Sequence, residues 1–313
     1  RTQSNPYRLY TTADNDTDKN YYECFVSTPH LNNEYILSRS EWQTREIELF
    51  LAPCGFSGSV NSTGRTNPTQ NLVDSYETKN GLPIDKDPSY DPQNPYANRD
   101  PRLEQTILHH GSIWGDAKQD EEREVDVTYG SGKDYHELHG GTLTGYYTKK
   151  FLNNMSFKSP TTYTHACPIF RYAEVLLGYV EAMNEMEGSY TDEDGQVTVT
   201  RDVDQMVKYF NQIRYRAGQP GITTADAADQ SRMRELIKHE RLIEFAFESH
   251  RYWDLRRWKD AYDAYNKPIR GLDVSARESQ REQFYTERIW NTEKTMKRMF
   301  SNKMYLWPLD RNV

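Results

Sequence analysis

Residues 236–258, LIKHERLIEFAFESHRYWDLRRW, interleave charged side chains with aromatic and aliphatic ones. His239–Glu240 begins like the zinc-protease motif H-E-x-x-H, but the fifth position is Ile243, so the second metal ligand is absent. Glu240, Glu244 and Glu248 fall at i, i+4, i+8 and form one column on a helix face. A di-metal carboxylate site needs Glu-x-x-His, whereas the sequence offers Glu248-Ser249-His250. The stretch therefore reads as architecture, with no metal expected. Arg241, Arg251, Arg256 and Arg257 lie within helical reach of Glu240, Glu244, Glu248 and Asp254, and guanidinium–carboxylate pairs suit a partly buried helix corner. Phe245, Phe247, Trp253 and Trp258 supply apolar cover.

Other clusters fail on spacing. GFSGS (55–59) lacks the second glycine of a nucleophile elbow. YGSGKD (129–134) lacks the leading glycine and the Ser/Thr of a phosphate loop. Asp14, Asp16 and Asp18 alternate like a calcium loop, but Lys19 and Phe25 stand where glycine and glutamate are needed. His109–His110 has no carboxylate or serine partner identifiable by spacing. No catalytic set survives, so neither an enzyme nor a cofactor is expected.

These residues must be positioned by two unlike regions. Residues 1–160 hold most of the prolines and glycines, in turn-rich pieces such as GFSGSVNSTGRTNPTQN and DKDPSYDPQNPYANRDPR. EYILS (34–38) and EIELFLA (46–52) alternate like short strands, and TQNLVDSYETKNG (69–81) reads as a short helix stopped by Gly81. Residues 161–313 are helical. Ile169, Tyr172, Ala173, Leu176, Leu177, Val180 and Met183 keep helical spacing after Pro168, which suits a first turn. A small hairpin is expected in 188–200, then a helix through Val203, Met206, Phe210 and Ile213 that Gly218 and Pro220 end. A third helix is expected from about Asp229 to Glu248, and a fourth through Trp258 to about Tyr265. Helix pairs of this length resemble tetratricopeptide units, although no clean repeat period is visible.

Composition narrows the function. Of 313 residues, 35% are hydrophobic and 13% aromatic, with 23 tyrosines, which suits a loop-rich chain with a wet binding surface. The net charge of −8 argues against nucleic acid as a partner. Cys24, Cys54 and Cys167 are far apart without a C-x-x-C pair, which excludes a zinc framework and leaves at most one disulfide. No apolar run reaches the roughly 20 residues that span a bilayer. The opening RTQSNPYRLY carries no targeting signal and so leaves the compartment open.

ERLIEFAFESHRYWDLRRW resembles the E-R-x-x-E-(L/F)-x-x-E-G-x-R-x-(F/W)-D-L-x-R-W signature of the SusD/RagB family of outer-membrane nutrient-binding lipoproteins. Further segments resemble the family in order: NPTQNLVDSYETKNGLPI (67–84), NRDPRLEQTIL (98–108), GYYTKKFL (145–152), PIFRYAEVLLGYVEAMNE (168–185), FNQIRYRAGQPGI (210–222) and MYLWPLDRN (304–312). Ser249 replaces the family's glycine at the corner, and Leu309–Asp310 stands where Ile-Pro is usual. The resemblance covers the C-terminal half of the family or somewhat more, without its N-terminal helices and lipidated cysteine.

The resemblance implies a mainly α, tetratricopeptide-like helical scaffold, incomplete here, bearing an irregular loop and short-strand ligand-facing region. It implies a lipid-anchored protein, exposed on the outer membrane, that captures oligosaccharides and delivers them to a SusC-like TonB-dependent transporter. Peptide binding, or a non-binding lid on the transporter, are the alternatives. The missing N-terminal half would be a further partner. In the family the segment before the L-V-D-x-Y element contributes to the site. On that basis the candidate ligand residues are Trp42, Gln43, Arg45, Phe56 and Asn61, followed by Trp114 and Tyr129.

Overall fold

The computed structural model describes residues 6–39, 41–130, 132–135, 141–289 and 298–306. Residues 307–312, including Leu309–Asp310 of the family-like closing segment, lie outside them.

The first 165 residues form short helices, α1 (Asn20–Val26), α2 (Glu46–Leu51), α3 (Gln70–Ser75) and α4 (Arg102–Thr106), joined by long loops. Strands among the described residues pair in twos, all antiparallel. β1 (Tyr35–Ser38) pairs with β8 (Pro168–Arg171), and β2 (Trp42–Thr44) with β7 (Tyr163–His165). β3 (Ile107–Leu108) pairs with β6 (Tyr147–Thr148), and β4 (Ile113–Trp114) with β5 (Arg123–Glu124). The expected hairpin is β9 (Ser189–Thr191) with β10 (Thr198–Thr200), and β11 (Arg270–Leu272) meets β12 (Glu287–Ile289).

The longer helices are α5 (Tyr172–Asn184), α6 (Val203–Arg216) and α8 (Gln230–Glu244), with α7 (Thr224–Ala228) between the last two. Ala173, Leu177 and Val180 of α5 bury against Met206, Phe210 and Ile213 of α6 and Met233 and Ile237 of α8. Asp202 and Asp229 cap α6 and α8 through side-chain bonds to first-turn amides, and Gly218 (φ +72°) ends the chain's run after α6. A second core gathers Val73, Leu103, Val127, Tyr147 and Phe157 of the loop-rich region with Ile243, Leu272 and Phe284.

Several boundaries differ from the sequence expectation. Residues 46–51 are helical, not a strand. The alternation at Ile47, Leu49 and Leu51 is too short to fix a period, and the helix turns Glu48 inward to accept from Asn153 N (3.0 Å). Thr69 caps α3, which stops at Ser75, because the buried Arg99 guanidinium takes the carbonyls of Val73 and Tyr76 at 2.6 and 2.8 Å. Gly81 (φ +71°) closes a later turn. Pro168–Arg171 is strand rather than first turn, which leaves Ile169 58% exposed and sends Arg171 inward. Helix α8 ends at Glu244. Left-handed Phe247 (φ +63°) and Ser249 (φ +68°) make the corner into α9 (His250–Arg257), and Lys259 (φ +64°) separates α9 from α10 (Ala261–Tyr265).

The Glu240–Glu244–Glu248 column is buried, but its partners are not the neighbouring arginines. Glu240 accepts from Arg102 and Arg214 (3.1 Å to the latter). Glu244 accepts from Arg102 (3.1 Å), Arg171 (2.8 Å) and Arg216. Glu248 accepts from Arg171 (2.8 Å) and Lys150 (2.7 Å). Glu34, Glu77 and Asp100 complete the lattice on the outer side of these cations. Adjacent residues on a helix point about 100° apart, so Arg241 faces away from the column and pairs with Asp254 at 2.9 and 3.0 Å. Arg257 joins Asp254 (2.8 Å), while Arg256 donates to the Met304 carbonyl. Glu240 and Glu244 on one face of α8, with Glu248 in the turn beyond its end rather than on the helix as the spacing suggested, thus tie the loop-rich region to α6 and α8.

Candidate functional site

A polar cleft with a volume of about 920 Å³ is lined by Phe56, Asn61, Glu121, Arg123, Lys133 and Lys158 among others. Loop 54–63 folds back on itself: Ser62 N donates to Phe56 O (3.0 Å) and Gly58 N to Val60 O (2.9 Å). Gly55 allows this loop to lie against the next, since a Cβ there would stand 2.3 Å from Lys133 O. Its amide donates to Asp134 Oδ1 (3.1 Å).

Asp134 is fully buried and also grips Arg123 bidentately, at 2.7 and 3.0 Å. The Arg123 guanidinium lies 4.0 Å from the Phe56 ring centroid. Glu121 fixes the opposite wall by accepting from Ser156 Oγ (2.6 Å), Phe157 N (2.7 Å) and Lys158 N (3.0 Å). Desolvation works to raise its pKa, but these three hydrogen bonds win and the carboxyl titrates below its ordinary value. The cleft is thus built on one buried charge pair and one carboxylate held by a hydroxyl and two amides, while Asn61, Glu122 and Lys133 stand exposed at the rim. Among the described residues no histidine lines the cleft, and none pairs a nucleophile with an adjacent base there. Such a surface can hydrogen-bond a polyhydroxylated ligand.

Of the seven residues singled out from sequence, the structure brings Phe56 and Asn61 together in this cleft. Phe56 is only 3% exposed, covered by Arg123 and by Phe157 with ring centroids 5.9 Å apart, so it forms floor rather than an open stacking face. Trp42 lines a different cavity, half-buried between the Arg39 guanidinium (4.2 Å) and the His165 ring (5.9 Å). Gln43 is exposed opposite Thr164, and half-buried Arg45 precedes α2. Trp114 is 5% exposed and belongs to the core of the loop-rich region. Tyr129 stands at the surface, edge-on to Tyr135 at 5.3 Å. His109 does have a carboxylate partner: its Nε2 lies 2.7 Å from Glu104 Oε1, its Nδ1 2.8 Å from His110 O, and its ring stacks on Tyr96 at 3.5 Å. Spacing hid Glu104 because the chain changes from helix α4 to strand β3 between the two residues.

The SusD family profile matches residues 31–313. This chain belongs to the SusD family. It is similar to the SusD-like protein P2 of Formosa agariphila, 33% identical over 94 residues that make up 28% of this chain and 16% of that protein. Among solved structures it resembles a SusD-like protein of Bacteroides fragilis, at 26% identity and a TM-score of 0.69, over 95% of this chain and 55% of that one. A SusD-like carbohydrate-binding protein, also from Bacteroides fragilis, matches at 29% identity and a TM-score of 0.60, over 85% of this chain and 48% of that one. The chain spans about half the length of these solved relatives. The SusD assignment fits a helix-rich, tetratricopeptide-like scaffold carrying a loop and short-strand face.

Against that SusD frame, the segments that sequence reasoning missed are 120–123, 133 and 158, which supply most of the cleft's charge. Their one local signal is the glycine and serine density at 55–59, which marks a backbone that other loops approach closely. The cysteines are free thiols, Cys24 and Cys54 buried and Cys167 exposed.

Proposed function

We propose that this chain is the ligand-bearing part of a cell-surface glycan-binding protein. It captures oligosaccharides and passes them to a SusC-like TonB-dependent transporter at the outer membrane, without chemical change to the glycan. The observation that carries the reading is the 920 Å³ cleft, with the Arg123–Asp134 pair and the amide-held Glu121 fixing its walls and a rim of exposed amide, carboxylate and ammonium groups. Sugar hydroxyls need many donors and acceptors already held in place, and groups fixed by their own hydrogen bonds need little reorganisation on binding. The carbohydrate-binding relative from Bacteroides fragilis supports the same choice of ligand class. Among the described residues no helix is long and apolar enough to cross a membrane, so the proposed attachment is peripheral, through a lipid.

Isothermal titration of the chain against a panel of polysaccharide-derived oligosaccharides and short peptides tests this. The expected result is saturable binding of a glycan, weakened by Asn61→Ala and Lys133→Ala, with the glycan recovered intact. Saturable binding of peptides alone would replace the reading with the peptide one.

A further inference from the structure

A separate cavity of about 230 Å³ is walled by Phe25, Trp42, Ile47, Leu51, Phe151 and Phe247, with Cys167 and Ser249 exposed at its rim. Three of these lining residues are left-handed without being glycine: Phe151 (φ +74°), Phe247 (φ +63°) and Ser249 (φ +68°). Bulky side chains avoid this region because Cβ crowds the backbone, and such strain persists only where the surroundings over-determine it. Here the surroundings are the buried ion lattice. Lys150, which precedes Phe151, donates to Ala246 O (2.8 Å) and Glu248 Oε1 (2.7 Å), the residues on either side of Phe247. One buried ammonium therefore pins both strained phenylalanines in place around the cavity.

A second observation is polar. Glu248 also lines the cavity, whereas the buried Nε2 of His165, another lining residue, is turned to Glu48 Oε1 at 3.1 Å.

We propose that this cavity is a binding site for a small uncharged aromatic ring bearing one hydroxyl, a phenol. Size sets the ring, since an apolar cavity of about 150 Å³ already accepts benzene. The walls set the aromaticity, offering ring edges and faces from three phenylalanines and an indole. Glu248 sets the hydroxyl and the neutrality: its carboxylate accepts from Lys150 and Arg171, keeps further acceptor capacity for a ring O–H, and disfavours an anion. A free sugar does not fit, because its several hydroxyls would go unsatisfied against these walls. The proposal does not rest on the glycan reading.

The test is a calorimetric titration of the 313-residue chain with p-cresol, run beside the rate at which Cys167, its exposed thiol, reacts with a thiol reagent. Saturable binding and a several-fold slower thiol reaction are expected. Leu51→Trp fills the cavity and should weaken binding by about tenfold or more. Capping Cys167 with a bulky maleimide should do the same without touching the core, which keeps the proposal testable if Leu51→Trp fails to fold. Competition by a phenyl glycoside or by N-acetyltyrosinamide would identify a ring carried on a sugar or on a peptide, and competition by neither a free phenol. No p-cresol binding, binding undiminished in both blocked proteins, or equal binding of cyclohexylmethanol would overturn the assignment.

Discussion

Arg171 Nη1 stands 2.8 Å from Glu244 Oε1, joining the last residue of β8 to the last residue of α8 with both side chains at or below 1% exposure. The same guanidinium reaches Glu34 and Glu248, so one side chain spans three parts of the chain. A buried charge stripped of its partner keeps its desolvation cost and loses the compensation. Arg171→Ala is therefore expected to destabilise the fold by about 3–5 kcal/mol, measured by urea denaturation. Native stability in that variant would remove the lattice from the list of structural determinants.

The corner beyond α8 separates two arginines that look alike in sequence. Asp254 holds Arg241 bidentately and Arg257 as well, so Asp254→Ala should cost about 2–4 kcal/mol. Arg251 is not one of its ion-pair partners and lines an open groove, so Arg251→Ala should cost about 1 kcal/mol or less. Thermal melts of the two variants compare them directly, and equal losses would contradict the assignment.

The lattice also sets a response to acid. Burial works to raise the pKa of Glu240, Glu244 and Glu248, but the facing arginines, with Lys150 at Glu248, outweigh it and all three are lowered from the usual 4.5. The folded chain then binds fewer protons than the unfolded one in acid. The stability these groups give is complete above about pH 4.5 and drains as pH falls through their folded values. Lys150 gives a slope of the same sign but as a cost: burial, partly offset by Glu248, brings its ammonium down to about 8 from 10.5, so its charged form disfavours the fold below about 8 and that penalty fades as pH rises between those values. Melting temperature should fall steeply below about pH 4.5, and Glu244→Gln should flatten that fall while lowering stability at neutral pH. An unchanged acid slope in Glu244→Gln would show that other carboxylates control it.

Ser249 offers a gain. Its φ of +68° is a conformation that glycine adopts freely. Replacing a strained left-handed residue relieves on the order of 1 kcal/mol, against the extra unfolded-state entropy of glycine. Ser249→Gly is expected to leave the melting temperature equal or raise it by a few degrees. A lower value would mean that the serine side chain holds the corner.

What was legible in the sequence was whatever repeats locally. The faces of α5, α6 and α8 and the Gly218 stop follow from spacing and from residues adjacent in the chain. The carboxylate column at Glu240, Glu244 and Glu248 was visible too, but its partners were not. Arg102, Lys150 and Arg171 lie tens of residues away, and no helical period points to them. The same limit hid the cleft, where Asn61 meets Arg123, Lys133 and Lys158 only through loop-on-loop packing. Trp114 stood among the candidate ligand residues, yet its strand turns the indole into the core.

The glycan site can be tested by contrast between rim and floor. Asn61 and Lys133 are exposed, so removing either side chain disturbs no core packing. A lost hydrogen bond is worth about 0.5–1.5 kcal/mol, and more where a charge takes part. Asn61→Ala and Lys133→Ala should thus weaken glycan binding by about twofold to a hundredfold at an unchanged melting temperature. Phe56 is floor, covered by Arg123 and Phe157, so Phe56→Ala should lower stability and affinity together. Trp42→Ala should leave glycan affinity nearly unchanged, because its indole lines the other cavity. Affinity should stay flat from about pH 5.5 to 8, since among the described residues no histidine lines the cleft and Glu121 titrates below its ordinary value. Calorimetry on the four variants separates the possibilities: a large loss in Trp42→Ala with full affinity in Asn61→Ala and Lys133→Ala would move the glycan site from the polar cleft to the Trp42 face.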